Sequence, residues 1–360
     1  MFKKGVNPMN YNNGPIWDEW ISDEALGISF NGEGLKRESS HIHLSLFFYL
    51  LITYVIVFAV SILGYFILPE EAYVNLFGNP VFNVLLSIGA QYVIAFPLFI
   101  LIMRRGSTPT PVRGEKIPFS ELALLTLIAE ALMLAGSMVG NYAAQFFGMI
   151  FGGAPSNSLD NLLEGTPIWL TVLSVVICAP IVEEIIFRKM FIDRLAPHGG
   201  ALAVVISSIA FMLIHSNIYQ FPYAFMVGLL LGYVYLRSGE IKYTIAIHMI
   251  MNFLGSVAIL PLEDATLKMV EMLEIMAQGQ EVAIESYASE ILIVAIYSII
   301  QFVIMIAGIV ALFRYIRRNE VNFRELIPHG GEAFRASYVN RGAIIFAVVT
   351  LLATVATFLT

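Results

Sequence analysis

The chain has 360 residues, 58% of them hydrophobic and only 13% charged, with a formal net charge of −7. A soluble domain carries roughly a quarter charged residues, so this composition excludes a string of soluble domains. One cysteine, Cys178, excludes an internal disulfide framework and a cysteine metal cluster. Apolar runs recur along the whole length, which points to a single all-α, polytopic membrane domain with short loops.

Residues 1–43 are polar and lack the basic start and adjoining apolar stretch of a signal peptide. They read as a cytoplasmic tail in which Trp17, Trp20 and Phe30 are the residues able to touch a membrane surface. From 44 to 360 the chain reads as a transmembrane domain. Candidate spans fall at about 44–68, 79–103, 119–151, 167–195, 201–217, 220–237, 241–260, 288–313 and 343–359. The fifth is short and the last marginal, giving eight or nine crossings. The third and fourth are long enough to tilt or to extend past the bilayer. With the N-terminus inside, alternating crossings place nineteen of the twenty Lys and Arg in inner segments, leaving only Lys268 outside. That split supports a multi-pass protein of the cell membrane with a cytoplasmic N-terminus. The segment 261–287 is acidic, with apolar residues near helical spacing, and reads either as a helix on the outer leaflet or as a solvated linker.

An ionisable side chain in mid-membrane costs roughly 2.5–3.5 kcal/mol, so each one needs a reason. The fourth span contains Pro180, Glu183, Glu184 and Arg188. Glu184 and Arg188 are four residues apart, share a face and can pair. Glu183 points about 100° away, lacks that partner and can face a cavity. Pro180 leaves a carbonyl unpaired one turn earlier and can bend the helix toward such a cavity. The fifth span carries Phe211 and His215 on one face; the seventh carries His248 and Asn252. Measured from the inner side at 1.5 Å per residue, Glu183 lies at ~18 Å, Glu184 and Asn252 at ~16 Å, His215 at ~21 Å and His248 at ~10 Å. All fall within one hydrocarbon layer, so a shared site is feasible. Glu130, in the third span, reads as structural or as a support to that site.

A carboxylate base with a histidine can polarise water for attack on a carbonyl, and a second histidine with an asparagine amide can donate to the oxyanion. The residues leave a second chemistry open. Glu183, His215 and His248 could hold zinc with water as fourth ligand, although HExxH is absent. No cofactor is certain, zinc is the one these residues could take, and no nucleic-acid partner is expected.

The trio Glu183-Glu184-x-x-x-Arg188, Phe211-x-x-x-His215 and His248-x-x-x-Asn252 resembles the signature of the CAAX protease and bacteriocin-processing (CPBP) family of intramembrane endopeptidases, related to type II CAAX prenyl proteases. The resemblance covers about residues 165–260, which would form the catalytic core. It implies a helical fold with an intramembrane cavity open to the cytosol. Glu183 would be the water-activating base, His215 would help polarise the water, and His248 with Asn252 would form the oxyanion hole. Glu184 and Arg188 would support them. The substrate would be a membrane-associated peptide or protein. Two other classes compete: a non-catalytic scaffold or bacteriocin self-immunity factor on the same fold, and a proton-coupled transporter using the same side chains as a relay.

Overall fold

The structure is a computed structural model that describes residues 31–157, 164–319 and 330–359. Trp17, Trp20, Phe30 and His329 lie outside the described residues. Within them the chain forms helices and no strand. In chain order these are α1 (Gly32–Ile67), α2 (Glu70–Phe77), α3 (Pro80–Met103), α4 (Phe119–Phe151), α5 (Ile168–His198), α6 (Gly200–Ile214), α7 (Phe221–Ser238), α8 (Ile241–Ser256), α9 (Glu263–Ala277), α10 (Ala288–Arg318), α11 (Gly330–Tyr338) and α12 (Arg341–Ala356).

All nine apolar runs are helices, but they are not equivalent. Five are long and apolar enough to cross a membrane, and α11 with α12, bent by 71°, passes the same test only when the two are taken as one broken span. The other three, α6 to α8, have 15, 18 and 16 residues. At 1.5 Å per residue α6 is about 22 Å long, short of the ~30 Å hydrocarbon layer. Together with α5, which holds Glu183, Glu184 and Arg188, α6 and α8 bring His215, His248 and Asn252 to the motif.

α1 starts at Gly32, well ahead of the apolar run that begins near Leu44. Asn31 caps it by accepting from Gly34 N at 2.8 Å. The added turns bury Leu35 and Ile42 and also three polar residues. Glu38 faces Arg194 at 3.7 Å, Ser39 donates to the Ser337 carbonyl at 2.6 Å, and His43 Nδ1 donates to the Ser39 carbonyl at 2.7 Å. Polar residues with such partners pack like apolar ones, and a hydropathy count cannot see this.

Proline sets the local geometry of α3 and α5. In each, a π-helical stretch precedes the proline: 89–95 before Pro97 and 172–178 before Pro180. The widened turn accommodates the ring, which would clash with a carbonyl four residues earlier in a regular α-helix. α5 returns to π geometry over 185–192.

Two apolar cores flank the motif helices. One is built from α1, α3, α5, α6 and Phe346 of α12; the other joins α4, α7 and α8, with Tyr315 from α10. Close approach of α6 and α7 depends on Gly228 and Gly232. A Cβ on Gly232 would lie 2.8 Å from a Val204 methyl, and one on Gly228 3.1 Å from Ser208. This is the small-residue spacing that lets membrane helices approach to backbone contact. At the basic end, Asp193 joins three parts of the chain: Tyr235 donates to it at 2.7 Å, Lys189 pairs at 2.9 Å and Val112 N donates at 3.2 Å.

Candidate active site

The four-residue spacing of Glu184 and Arg188 produces the expected ion pair. Arg188 Nε lies 3.0 Å from Glu184 Oε2, and both side chains are fully buried. The other Glu184 oxygen, Oε1, receives His248 Nδ1 at 2.9 Å. A carboxylate paired with arginine only accepts, so Nδ1 carries the proton and Nε2 keeps its lone pair. Nε2 faces Glu183 Oε2 at 3.6 Å, beyond hydrogen-bond range. One imidazole therefore stands between two carboxylates: it is bonded to the buried one and only neighbours the other. Glu183 keeps a quarter of its side chain exposed while Glu184 keeps none.

His215 is the C-terminal cap of α6, at the end of the helix rather than within it. The next residue, Ser216, has φ 48°, a left-handed conformation that non-glycine residues rarely adopt. The chain turns there into a short polar connection in which Asn217 is buried and accepts from Tyr219 N. His215 Nδ1 donates to the Phe211 carbonyl at 2.6 Å, which fixes its proton and leaves Nε2 as an acceptor. The ring lies within electrostatic reach of Glu183 and His248.

Phe211 is the hub of this arrangement. Its ring stands edge-to-face with His215 at 4.9 Å and with His248 at 5.9 Å, and the Arg188 guanidinium lies over it at 5.0 Å. In the sequence Phe211 was visible as a residue on the face of His215 and in the Phe211-x-x-x-His215 motif, without these contacts.

Asn252 joins the site through a backbone defect. In the π stretch Ala179 N bonds to the Ser174 carbonyl, five residues back. The next amide in that register would serve Val175, but residue 180 is proline and has no N–H. Asn252 Nδ2 donates to the Val175 carbonyl instead, at 2.8 Å. One of its two N–H bonds is thus used to hold the side chain, and the second remains for another acceptor.

The site also contains residues that the sequence did not flag. Thr244, one turn before His248 and fully buried, lies against Glu184. Tyr49 of α1 and Tyr92 of α3 lie within electrostatic reach of Glu183. The spacing of Thr244 and His248 was a usable signal, whereas the two tyrosines come from distant helices and left none. Glu130 is buried on α4 with Oε2 unpaired among the described residues, and none of the cluster's contacts reaches it. Among the described residues no three His, Cys, Asp or Glu side chains are grouped closely enough to hold a metal ion.

The described cavities lie away from this cluster, against α1.

Comparison with known proteins agrees with the motifs. Residues 165–254 match the family model "Type II CAAX prenyl endopeptidase Rce1-like". A Bacillus subtilis (strain 168) protein named "Putative membrane peptidase YdiL" is 26% identical over 214 residues, covering 57% of this chain and 86% of that protein. An Escherichia coli protein named "Uncharacterized 24.3 kDa protein" is 26% identical over 165 residues, covering 43% of this chain and 71% of its own length. No solved structure matches. Glu183, Glu184, Arg188, His215, His248 and Asn252 all fall inside the matched segment, so the stretch of this chain that carries the motifs is the stretch similar to the Rce1-like family.

Proposed function

We propose that this protein is an intramembrane endopeptidase that hydrolyses a peptide bond of a membrane-associated peptide or protein with water activated by Glu183. The carrying observation is the asymmetry of the two glutamates. Glu184 is fully buried and committed to Arg188 and His248, while Glu183 is partly exposed and faces His248 Nε2 at 3.6 Å.

Each proton then has a place. A water beside Glu183 gives one proton to that carboxylate and directs the other to His215 Nε2, the acceptor left by the Phe211 bond. Its oxygen attacks the scissile carbonyl carbon and a tetrahedral oxyanion forms. The free N–H of Asn252 donates to that oxygen. His248 can donate as well once Nε2 is protonated, and the nearest source is the proton just taken by Glu183. Glu184 faces the opposite nitrogen and stabilises the resulting imidazolium, as a buried carboxylate does in a hydrolase triad. Collapse breaks the C–N bond, and a proton from Glu183 or His248 leaves with the amine. No step needs a group beyond water and these side chains.

A cytoplasmic N-terminus belongs to the same reading, supported by the distribution of Lys and Arg, with the cell membrane as the proposed location. The test is cleavage of a library of membrane-anchored peptides by purified protein in nanodiscs, with products mapped by mass spectrometry. Cleavage by wild type and none by Glu183→Gln of equal thermal stability is expected. Equal cleavage by both would remove Glu183 from the role of base.

A further inference from the structure

One cavity lies away from the catalytic cluster. It is about 1030 Å³ and lies between the first turns of α1 and the bend where α11 meets α12. Lys36, Arg37 and Arg341 line it against a single acid, Glu33. Lys36 meets Glu33 at 3.8 Å between exposed side chains, a pairing of little strength. Arg37 and Arg341 have no carboxylate partner among the described residues. His41 also lines the cavity, and its Nε2 is buried with no hydrogen-bond partner there. Leu44, Val339 and Ile344 make the wall apolar toward the membrane side.

The walls are fixed in place. Ser40 accepts from Gly342 N at 3.1 Å, and a Cβ on Gly342 would lie 1.9 Å from the Ser40 carbonyl, so only glycine lets α12 start this close to α1. Asn340 caps α12 by accepting from Ala343 N at 2.9 Å and donates to the Ser337 carbonyl at 2.7 Å. The Gly342 and Ala343 amides at the start of α12 are thus already used, and the cationic side chains remain for a ligand.

The cavity continues into a stripe. Arg37, His41 and Leu44 are followed at alternating steps of four and three by Phe48, Leu51, Val55, Phe58 and Ile62, all five exposed. At 3.6 residues per turn this series drifts by only about 20° from end to end, so it forms one face of α1. From Leu44 to Val55 the helix rises about 16 Å, close to half of the ~30 Å hydrocarbon layer. A second, apolar cavity of about 500 Å³ opens there, lined by Tyr54, Val55, Val57, Phe58 and Ser61. A cationic pocket at the basic end of the bundle is thus joined to an apolar track one leaflet deep.

We propose that this pocket and track bind one anionic phospholipid, its phosphate headgroup among Lys36, Arg37 and Arg341 and an acyl chain along the exposed face of α1. A free phosphate fits the pocket's charge but makes no use of the track, and a zwitterionic lipid fits the track without matching the charge.

The experiment uses full-length protein in nanodiscs of phosphatidylcholine alone or mixed with phosphatidylglycerol, with lipids retained on the released protein counted by native mass spectrometry. One phosphatidylglycerol per chain, retained against excess phosphatidylcholine and not displaced by inorganic phosphate, is expected. A basic residue near an anionic surface contributes roughly a factor of five, so Lys36→Gln/Arg37→Gln/Arg341→Gln should weaken retention about 100-fold. The control Arg314→Gln/Arg317→Gln, on α10, should leave it unchanged. Ile344→Trp fills the pocket without altering charge and should also abolish retention. If the triple variant fails to fold, Arg341→Gln alone should give about a fivefold loss. Equal retention of both lipids, displacement by inorganic phosphate, or equal loss in the α10 control would each overturn the proposal.

Discussion

Glu184 can be separated into a structural and a chemical contribution. Glu184→Gln keeps the shape and the acceptor oxygen facing His248 but removes the charge opposite Arg188. That guanidinium is fully buried, with its Nε 3.0 Å from the carboxylate. Breaking one side of such a pair typically costs about 3–5 kcal/mol, because the remaining charge stays buried and alone. Glu184→Gln should therefore lower the unfolding free energy by about 4 kcal/mol. Arg188→Met should lower it by a similar amount. The double variant Glu184→Gln/Arg188→Met leaves no unpaired charge and should regain most of the loss, since a buried pair replaced by neutral groups of similar volume is often neutral in stability. Turnover should not return. His248 would still face a neutral amide, which cannot stabilise an imidazolium and can select the wrong tautomer; such a change cost about 10⁴-fold in a serine hydrolase. The measurement pairs denaturant or thermal unfolding in detergent with peptide turnover for all four proteins. A double variant that regains both stability and turnover would refute this reasoning, because Glu184 would then serve only Arg188.

Pro180→Ala supplies an amide that can compete with Asn252 for the Val175 carbonyl. It should raise stability by up to about 3 kcal/mol while lowering kcat, opposite signs read from unfolding and turnover of the same sample. Asn252→Leu removes the donor at similar size and should lower kcat by about 10²–10³-fold with a smaller change in KM. Phe211→Ala should cost about 3–5 kcal/mol of stability and release both imidazoles, while Phe211→Leu should keep the fold and still slow turnover. Arg237 pairs with Glu121 and donates to Tyr315 at 2.6 Å, tying α7 to α4 and α10. Arg237→Ala should lower stability by about 2 kcal/mol in an unfolding assay and leave KM unchanged, because this network lies away from the cluster.

The sequence revealed some links of this site and concealed others for identifiable reasons. The Glu184–Arg188 pair and the divergence of Glu183 follow from helical geometry alone and could be read directly. The bond from His248 to Glu184 joins residues 64 positions apart, and spacing could place them only at similar depth. The tie between Asn252 and Val175 was hidden further, because it depends on a π register that moves the orphaned carbonyl by one residue. Pro180 announced the defect but not its partner. The end of α6 at His215 was concealed because Phe-Met-Leu-Ile-His is apolar; the left-handed Ser216 that follows has no local signature such as glycine. The early start of α1 was concealed by Glu38, Ser39 and His43, whose partners lie on α5 and α11 or one turn back along α1.

The most direct test of the central claim is hydrolysis by wild type and Glu183→Gln in nanodiscs, each measured after exhaustive chelation and again with stoichiometric zinc. Water activation by Glu183 predicts that wild type cleaves at the same rate in both conditions and that Glu183→Gln cleaves in neither. Activity that vanishes on chelation and returns with zinc, or persists in Glu183→Gln, would contradict it.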